Sequence, residues 1–297
     1  MQTILYLRGV SAKQRIATLV VLVSWLCPCA PEEARGKPAG LDLARYKLDF
    51  SEEFDGALDV SPWGPGTRWI SHTPWAGDFG DAVFTDPEPG FPFVVQDGLL
   101  RIEARKERTP GPPSRDLWRS GLLSTCGPDG KGYSLKYGYF EMSAKLPSTR
   151  GVWPAFWLAT AAPRPITDET AGVVEVDIIE YYGFSGAFNS VVHTWKPEPH
   201  EAQAHINKIA PGSEAAGFHK YGAEVTPDWV IIYFDRKELW RSPTPRAHTR
   251  PLMLLLNLAL GGGWPIDQVE NPTFMYVDYV RAYAPKPASS KRASSSR

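Results

Sequence analysis

The chain has 297 residues, of which 12% are aromatic and 22% are charged, and eleven are tryptophan. This composition excludes a disordered polymer, and the length suits one large domain with a substantial core. The net charge is −1, but the first 30 residues contribute three positive charges and the last 13 contribute four, so residues 31–284 carry about −8. An acidic body argues against nucleic acid as a partner and favours a neutral one.

The first 30 residues combine a basic lead with the apolar run IATLVVLVSWLC. Such a run is too short to span a bilayer comfortably, so we predict a signal peptide at 1–30, with an uncleaved anchor as the alternative. The mature protein is then expected to be secreted, to the extracellular space or the periplasm, with no membrane partner. Two of the three cysteines fall in this segment, which leaves Cys126 alone and excludes an intrachain disulfide.

Both ends of the remaining chain have a composition typical of flexible segments. Residues 31–40 read PEEARGKPAG, and residues 285–297 are rich in Pro, Ser, Lys and Arg. Neither segment has enough apolar surface to offset the entropy lost on ordering. We therefore predict a flexible lead at 31–40, one catalytic domain at 41–284 and a disordered tail at 285–297.

Between the ends, apolar residues alternate with period two in segments bounded by Pro and Gly, which indicates β-strands. Such segments occur at 98–106, 137–147, 229–240 and 275–285. The run LMLLLNLALGGGWP at 252–265 is the most apolar and predicts a central strand covered on both faces. Helical patterns are scarce, so we predict an all-β fold of two antiparallel sheets packed as a sandwich or jelly roll.

The segment EVDIIE places Glu175, Asp177 and Glu180 within one apolar strand. Because side chains alternate along a strand, Glu180 shares the face of the other two only if Ile178 or Ile179 is the extra residue of a β-bulge. Three carboxylates on one face repel one another, which should raise at least one pKa. This suits a nucleophile at Glu175, an acid/base at Glu180 and a tuning partner at Asp177. A solvated acidic face and a calcium site are the alternatives.

EVDIIE resembles the bulged E-x-D-x-x-E signature of glycoside hydrolase family 16, the group of laminarinase- and lichenase-like bacterial β-glucanases. Further blocks resemble the segments of that family in the same order, so the resemblance covers most of the domain. It implies a concanavalin A-like β-jelly roll whose concave sheet holds a substrate cleft. The blocks lie at 48–56, 137–158, 218–235, 256–265 and 276–283.

The resemblance also implies an activity: endo-acting hydrolysis of a polysaccharide, with retention, through a glycosyl-enzyme ester and without an organic cofactor. It assigns the nucleophile to Glu175, the assisting acid to Asp177 and the acid/base to Glu180. The expected substrate is a β-1,3- or β-1,3-1,4-glucan, and the expected enzyme is a monomer. An exopolysaccharide-trimming glycanase or transglycosylase is an alternative, as is a non-catalytic carbohydrate-binding protein, although the intact Glu175 and Glu180 argue against the last.

Aromatic and polar residues near these blocks are candidate substrate contacts, because indole faces stack on the C–H faces of sugar rings. His193 and Trp195 share a face of the strand after EVDIIE, and His193 can hydrogen-bond to a carboxylate if the two strands pair antiparallel. A purely structural role is the alternative for each residue. The candidates are Trp118, Arg119, Trp153, Trp157, His193, Trp195, Asn257 and Trp264.

The resemblance further suggests a structural calcium ion, since Asp278 and Gly98 match the positions that hold it in many bacterial relatives, and oxygen ligands suit calcium. A salt bridge from Asp278 to Arg281 is the alternative. Two segments, 69–93 and 196–219, are expected to be loops that wall the cleft.

Overall fold

The computed structural model describes residues 40–108, 116–168 and 170–287. The predicted signal peptide, the lead before Gly40 and the tail from residue 288 onward lie outside the described residues. Within the described part, two β-sheets account for nearly all regular structure, accompanied by one short α-helix and one 3-10 helix. The predicted all-β sandwich is confirmed. No helix in these ranges combines the length and the apolar character that a membrane span requires.

The regular elements run along the chain from a 3-10 helix to a long strand that ends at Pro285. They are the 3-10 helix Leu43–Arg45, β1 (Tyr46–Glu52), β2 (Val60–Ser61), β3 (Trp69–Ile70), β4 (Ala82–Phe84), β5 (Phe93–Gln96), β6 (Leu99–Arg108), β7 (Asp116–Ser120), β8 (Leu122–Ser124), β9 (Ser134–Leu135), β10 (Gly138–Lys145), β11 (Val152–Thr160), β12 (Val173–Glu180), β13 (Ala187–Lys196), β14 (Glu201–Lys208), α1 (Ser213–Ala216), β15 (His219–Val225), β16 (Trp229–Phe234), β17 (Lys237–Pro243), β18 (Leu252–Leu260) and β19 (Thr273–Pro285).

The strands form a ten-stranded and a nine-stranded sheet. The ten-stranded sheet has the order β17-β16-β15-β10-β19-β6-β7-β4, with β1 added to β19 and β5 added to β6. The nine-stranded sheet has the order β14-β13-β12-β11-β18-β8-β3-β2, with β9 added to β18. Strands β2 and β3 pair in parallel, as do β4 and β7, whereas the long strands pair antiparallel.

The main core lies between the two sheets, and the most apolar strand, β18, supports it from the centre of the nine-stranded sheet. All nine residues of β18 are buried. Its even-numbered leucines face the main core, whereas Met253, Leu255 and Ala259 face a second apolar cluster on the opposite face of the sheet. Each fully buried leucine contributes roughly 1.5–3 kcal/mol. The prediction of a central strand covered on both faces is confirmed, and this strand forms a rigid base beside the acidic segment.

The segment 196–219 was expected to be a loop. It contains strand β14 and helix α1 instead. Strand β14 lies at the edge of the nine-stranded sheet, and seven of its eight residues are exposed. The sequence of β14, EAQAHINK, does alternate polar and apolar residues, so a period-two signal was present. The signal is weak because two of its three apolar residues are alanines, and an exposed edge strand needs no stronger one.

On the ten-stranded sheet, Glu141 is a fully buried carboxylate with a complete set of donors. It accepts hydrogen bonds from the hydroxyls of Tyr139 at 2.7 Å and Tyr279 at 2.8 Å. The Arg236 guanidinium adds two further bonds of 2.8 and 2.7 Å. Burial alone raises the pKa of Glu141, but the Arg236 and tyrosine donors outweigh it and hold the pKa below its usual value.

Replacing Arg236 by Met should destabilise the domain, because the Glu141 charge stays buried without its partner. We expect a loss of about 2 kcal/mol, below the roughly 3–5 kcal/mol typical of a broken buried pair, because the Arg236 side chain is 34% exposed. The measurement is urea unfolding at neutral pH.

The double variant Glu141→Leu/Arg236→Met is the control and should recover part of the loss. Because the folded-state pKa of Glu141 is depressed, its contribution is complete above the ordinary Glu range and is lost as the pH falls through the lowered value. The gap between wild type and Arg236→Met should therefore narrow in acid. A gap that widens in acid would contradict this account.

Candidate active site

Strand β12 carries a β-bulge at Ile178. The β11 partners of Asp177 and Ile179 are consecutive residues, so Ile178 is left without a partner on that side. Ile178 and Ile179 both lie in the main core, with exposures of 0% and 1%. Two consecutive inward residues return Glu180 to the face that carries Glu175 and Asp177, as the sequence predicted. The three acids therefore share the outer face of the nine-stranded sheet.

The two glutamates of this strand have different hydrogen-bond partners. The Trp195 indole Nε1 lies 3.3 Å from Glu175 Oε2 and donates to it. Glu180 Oε1 accepts two hydrogen bonds, from Trp153 Nε1 at 3.0 Å and from the Tyr182 hydroxyl at 2.8 Å. Glu180 is therefore held by two neutral donors and Glu175 by one longer bond. Carboxyl groups with different surroundings can perform different tasks in one reaction.

Asp177 is the most buried of the three acids, at 5% exposure, and it faces a histidine. Strands β12 and β13 pair antiparallel with Glu175 opposite His193, as expected. His193 Nε2 lies 3.3 Å from Asp177 Oδ2. One polar side-chain atom from each of Glu175, Asp177 and His193 lies within 4.8 Å of the others. The imidazole therefore belongs to the same electrostatic unit as the acids.

Burial raises the pKa of every acid in the segment. It raises the pKa of Glu175 to about 8, and the neighbouring Asp177 charge adds to this effect. Burial, followed by the charge of Glu180, raises the pKa of Asp177 well above its ordinary value. Burial also raises the pKa of Glu180, although the Tyr182 and Trp153 donors oppose it. The acids therefore share at least one proton at neutral pH.

We interpret this cluster as an acid–base group. A cation held by Glu175, Asp177 and His193 would use the lone pairs with which a carboxylate attacks a substrate. It would also leave no function for the separate donors on Glu180. Neighbouring acids whose surroundings give them different pKa values are typical of general acid/base pairs.

An aromatic wall continues from Glu180 along the cleft. The Tyr182 ring packs against Trp153 at 5.7 Å and Trp264 at 6.4 Å, and Phe184 packs edge-on against Trp264 at 4.6 Å. Trp264 is 44% exposed. A Cβ atom at Gly262, whose φ is +61°, would lie 2.7 Å from the Tyr182 ring and 2.9 Å from Trp153. Gly262 is therefore required for these rings to approach one another.

A second wall comes from the segment 69–93, which was expected to be a loop but also contains β3 and β4. Trp75 is 39% exposed and packs edge-on against Trp157 at a centroid distance of 5.9 Å. The Arg164 guanidinium lies 4.7 Å above the Trp75 ring. Phe79 packs against Trp153 at 5.2 Å and Trp157 at 6.0 Å. Trp75 thus offers a supported, partly exposed indole face of the kind that stacks on sugars.

Two predicted cleft residues, Trp118 and Arg119, lie elsewhere. Both belong to β7 of the ten-stranded sheet. Trp118 is 5% exposed and packs in the main core. Arg119 points to the other face of that sheet, where it pairs with Glu107 at 2.8 Å and Glu88 at 3.3 Å. The prediction was wrong because the sequence does not show to which sheet this strand belongs.

Asn257 was predicted to contact sugar hydroxyls, and this is also wrong. The residue is fully buried. Its Oδ1 accepts from Trp157 Nε1 at 2.9 Å, and its Nδ2 donates to the Trp153 backbone carbonyl at 3.1 Å. Asn257 therefore holds the Trp157 indole against the backbone of Trp153. Trp157, at 5% exposure, forms the floor beneath Trp75 and offers little surface to a substrate.

Several residues of the site were not predicted from the sequence, among them Tyr182, His200 and Trp75. Tyr182 had a usable signal, because the bulge that restores Glu180 also brings the residue two positions later onto the same face. His200 and Trp75 lie outside the strands, where no periodicity applies. Their positions depend on the path of two connections across the sheet.

The predicted calcium site stays a prediction. Asp278 Oδ2 accepts a hydrogen bond from the Ser143 hydroxyl at 3.0 Å, and Gly98 lies in the turn between β5 and β6 with φ +72°. Carboxylate and backbone oxygens are suitable calcium ligands. The alternative, a salt bridge from Asp278 to Arg281, is wrong, because Arg281 forms two bonds of 2.7 and 2.6 Å with Glu53.

Comparison with known proteins agrees with this geometry. The sequence profile of the glycosyl hydrolases family 16 matches residues 96–281, which include the whole acidic strand and its neighbours. The chain belongs to glycosyl hydrolase family 16. The match runs from β6 into β19, so the bulge, His193, His200 and the glycines before Trp264 lie inside the matched region.

Three relatives show how similar the chain is to individual proteins. The endo-1,3-1,4-β-glycanase EglC of Rhizobium meliloti is 34% identical over 82% of this chain and 53% of its own length. The chain therefore spans about half the length of that relative. The non-specific endo-β-1,3(4)-glucanase SCLam is similar in structure, with a TM-score of 0.66 at 26% identity over 84% of this chain and 95% of SCLam. The laminarinase catalytic domain of Thermotoga petrophila RKU-1 gives 0.63 at 25% identity, over 82% and 99%.

Replacing Tyr182 by Phe should move the alkaline limb of the kcat/KM profile to higher pH by about half to one unit. The Tyr182 hydroxyl stabilises the ionised form of Glu180, so its removal raises the pKa of Glu180 further and keeps the acid protonated to higher pH. The measurement is initial rate on a soluble β-glucan across the pH range.

Tyr181→Phe is the matched control, because the Tyr181 hydroxyl bonds to Glu214, away from the three acids. Its pH profile should keep both limbs in place. A downward shift in Tyr182→Phe, or equal shifts in both variants, would contradict the role of Tyr182.

Proposed function

We propose that this family 16 domain is a retaining, endo-acting β-glucan hydrolase. The observation that carries the proposal is the bulge at Ile178, which places Glu175, Asp177 and Glu180 on one face with a separate set of partners for each acid. Two carboxyl groups on one wall, one suited to attack and one to proton transfer, are the requirement of the double-displacement mechanism. EglC is named an endo-1,3-1,4-β-glycanase and SCLam an endo-β-1,3(4)-glucanase, and these two relatives support the same reaction class.

In the first step, ionised Glu175 attacks the anomeric carbon while Glu180 gives its proton to the departing glycosidic oxygen. The C–O bond to the leaving sugar breaks and an ester to Glu175 forms. In the second step, Glu180 takes a proton from water, whose oxygen attacks the anomeric carbon and releases Glu175. Two inversions give net retention, and the enzyme returns to its starting protonation state.

The electrostatics of the cluster support this division of tasks. Asp177 lies between the glutamates and is the most buried, so a proton held there neutralises the charge closest to Glu175. Positive charge that develops at the anomeric carbon further stabilises the ionised form of Glu175, despite its raised pKa. The proton needed by the leaving group then resides on Glu180, whose two neutral donors keep its carboxyl in place.

We propose a neutral β-1,3- or mixed β-1,3-1,4-glucan as the substrate. The cleft presents aromatic surfaces at Trp75 and Trp264, which suit the apolar faces of glucose rings. The acidic charge of residues 31–284 disfavours polyanionic glycans. The predicted signal peptide leads us to propose that the enzyme acts on this polysaccharide outside the cytoplasm.

Glu175→Gln should lower the rate on laminarin or lichenan by at least about a thousandfold, because the amide cannot form the glycosyl ester. Product chromatography should show oligosaccharides from wild type and none from the variant. Proton NMR of the first wild-type products should show the β-anomer before mutarotation. In Glu175→Ala, added azide should yield a glycosyl azide of α configuration.

Glu107→Gln is the matched control, because Glu107 lies on the ten-stranded sheet with Arg119, and it should retain wild-type activity. Release of the α-anomer first would refute the retaining mechanism. Binding of laminarin by wild type without any product would instead identify the domain as a carbohydrate-binding protein.

A further inference from the structure

A histidine outside the acidic strand extends the site by one residue. His200 ends the short connection between β13 and β14, and its Nε2 lies 2.9 Å from Nδ1 of His193. The His200 ring stacks on Trp195 with a centroid distance of 4.0 Å and an interplanar angle of 9°. The opposite nitrogen of His193, Nε2, faces Asp177 at 3.3 Å. His200, His193 and Asp177 therefore form a continuous row of polar contacts.

Only one hydrogen fits between the two facing ring nitrogens, so one imidazole donates and the other accepts. The side of His200 that lies against its neighbours is desolvated, which lowers the pKa of His200, and the nearby His193 lowers it further. His200 is therefore the neutral ring with a lone pair to offer. His193 then carries hydrogen at Nδ1, either as a positive ring that faces the Asp177 carboxylate or as a neutral ring whose Nε2 faces a protonated Asp177.

We propose that His200 is a positioning residue that accepts the Nδ1–H of His193 and thereby dedicates His193 Nε2 to exchanging one proton with Asp177. The exchange is balanced: the proton moves between Nε2 and Oδ2, and no other bond changes. The proposal rests on the proposed hydrolase function, because its consequence for catalysis is the charge that the acids carry when a glycan is attacked.

The charges around this row determine the direction of the effect. Glu175, Asp177 and Glu180 face His193 from β12, and a positive His193 lowers the pKa of both Glu175 and Glu180 against the larger effect of burial.

On the connection itself, Glu198 Oε2 accepts the His200 backbone N–H at 3.1 Å. At the end of β13, Lys196 Nζ donates to the Ile166 carbonyl. Arg164 interacts electrostatically with Glu175 from the β11–β12 connection. Without the His200 acceptor, His193 should carry its positive charge less readily and offset less of the negative charge of the acids. Glu175 should then stay protonated more often at mildly acidic pH.

The stack on Trp195 offers a purely structural reading, in which His200 only supports the indole that donates to Glu175. Two substitutions separate the readings. His200→Phe keeps an aromatic face on Trp195 but has no acceptor. His200→Gln loses the ring but places an amide oxygen near the position of Nε2, where it can accept from His193.

The test is the pH profile of kcat/KM on laminarin for wild type, His200→Phe, His200→Gln and His200→Ala. We expect the acidic limb to move to higher pH by about one unit in the Phe and Ala variants. His200→Gln should keep the wild-type limb. The reverse order, with Phe like wild type and Gln like Ala, would show a structural stack and overturn the proposal, as would unchanged limbs in all three variants.

A second readout does not depend on turnover. Nitrogen-15 NMR of the histidine rings should show His193 protonated at Nδ1 in wild type and in His200→Gln. A lone pair at Nδ1 of neutral His193 in wild type would overturn the proposal even if the enzyme is active. Conversely, a wild-type protein that cleaves no β-glucan but shows the Nδ1–H form would refute the proposed hydrolase while leaving the histidine arrangement established.

Discussion

The extra residue at Ile178 is the constraint on which the site depends. A regular strand would direct Glu180 into the core, where a lone carboxylate is strongly unfavourable. The bulge instead buries Ile178 and Ile179 together, so the apolar contacts of the strand are retained while its last acid moves to the cleft. The same two isoleucines thus stabilise the core and determine the direction of the acid.

The two glutamates are compatible with a folded protein because they accept hydrogen bonds from donors in different parts of the chain. Trp195 comes from β13, Trp153 from β11 and Tyr182 from the turn after β12. These donors are also aromatic, so one set of side chains both satisfies the carboxylates and forms the surface for sugar rings. A substitution of one of these rings is therefore expected to change both the hydrogen bonding of a carboxylate and the surface on which a sugar stacks.

The cleft is supported from below by β18, which is buried on both faces. Asn257 of this strand adds hydrogen bonds to the Trp157 indole and to the Trp153 backbone. The walls come from connections between strands. A fixed floor with walls from connecting segments allows one family to keep its reaction while the cleft changes shape, because connections tolerate changes that buried strands do not. The row from Asp177 through His193 to His200 joins a buried strand to a connection, since Asp177 belongs to β12 and His200 to the segment between β13 and β14.

The amino-acid sequence alone determined the all-β class and the two-faced burial of β18. It predicted the shared face of the three acids on condition of a bulge at Ile178 or Ile179, and the approach of His193 to the acids on condition that the two strands pair antiparallel. Each of these depends on alternation or on nearest-neighbour pairing, which are properties of short segments. Only the tertiary structure decided that Trp118 packs in the core, that Asn257 is sealed beneath tryptophans and that His200 reaches His193. These outcomes depend on which sheet a strand joins and where a connection crosses it, and such long-range choices leave no periodic trace in the chain.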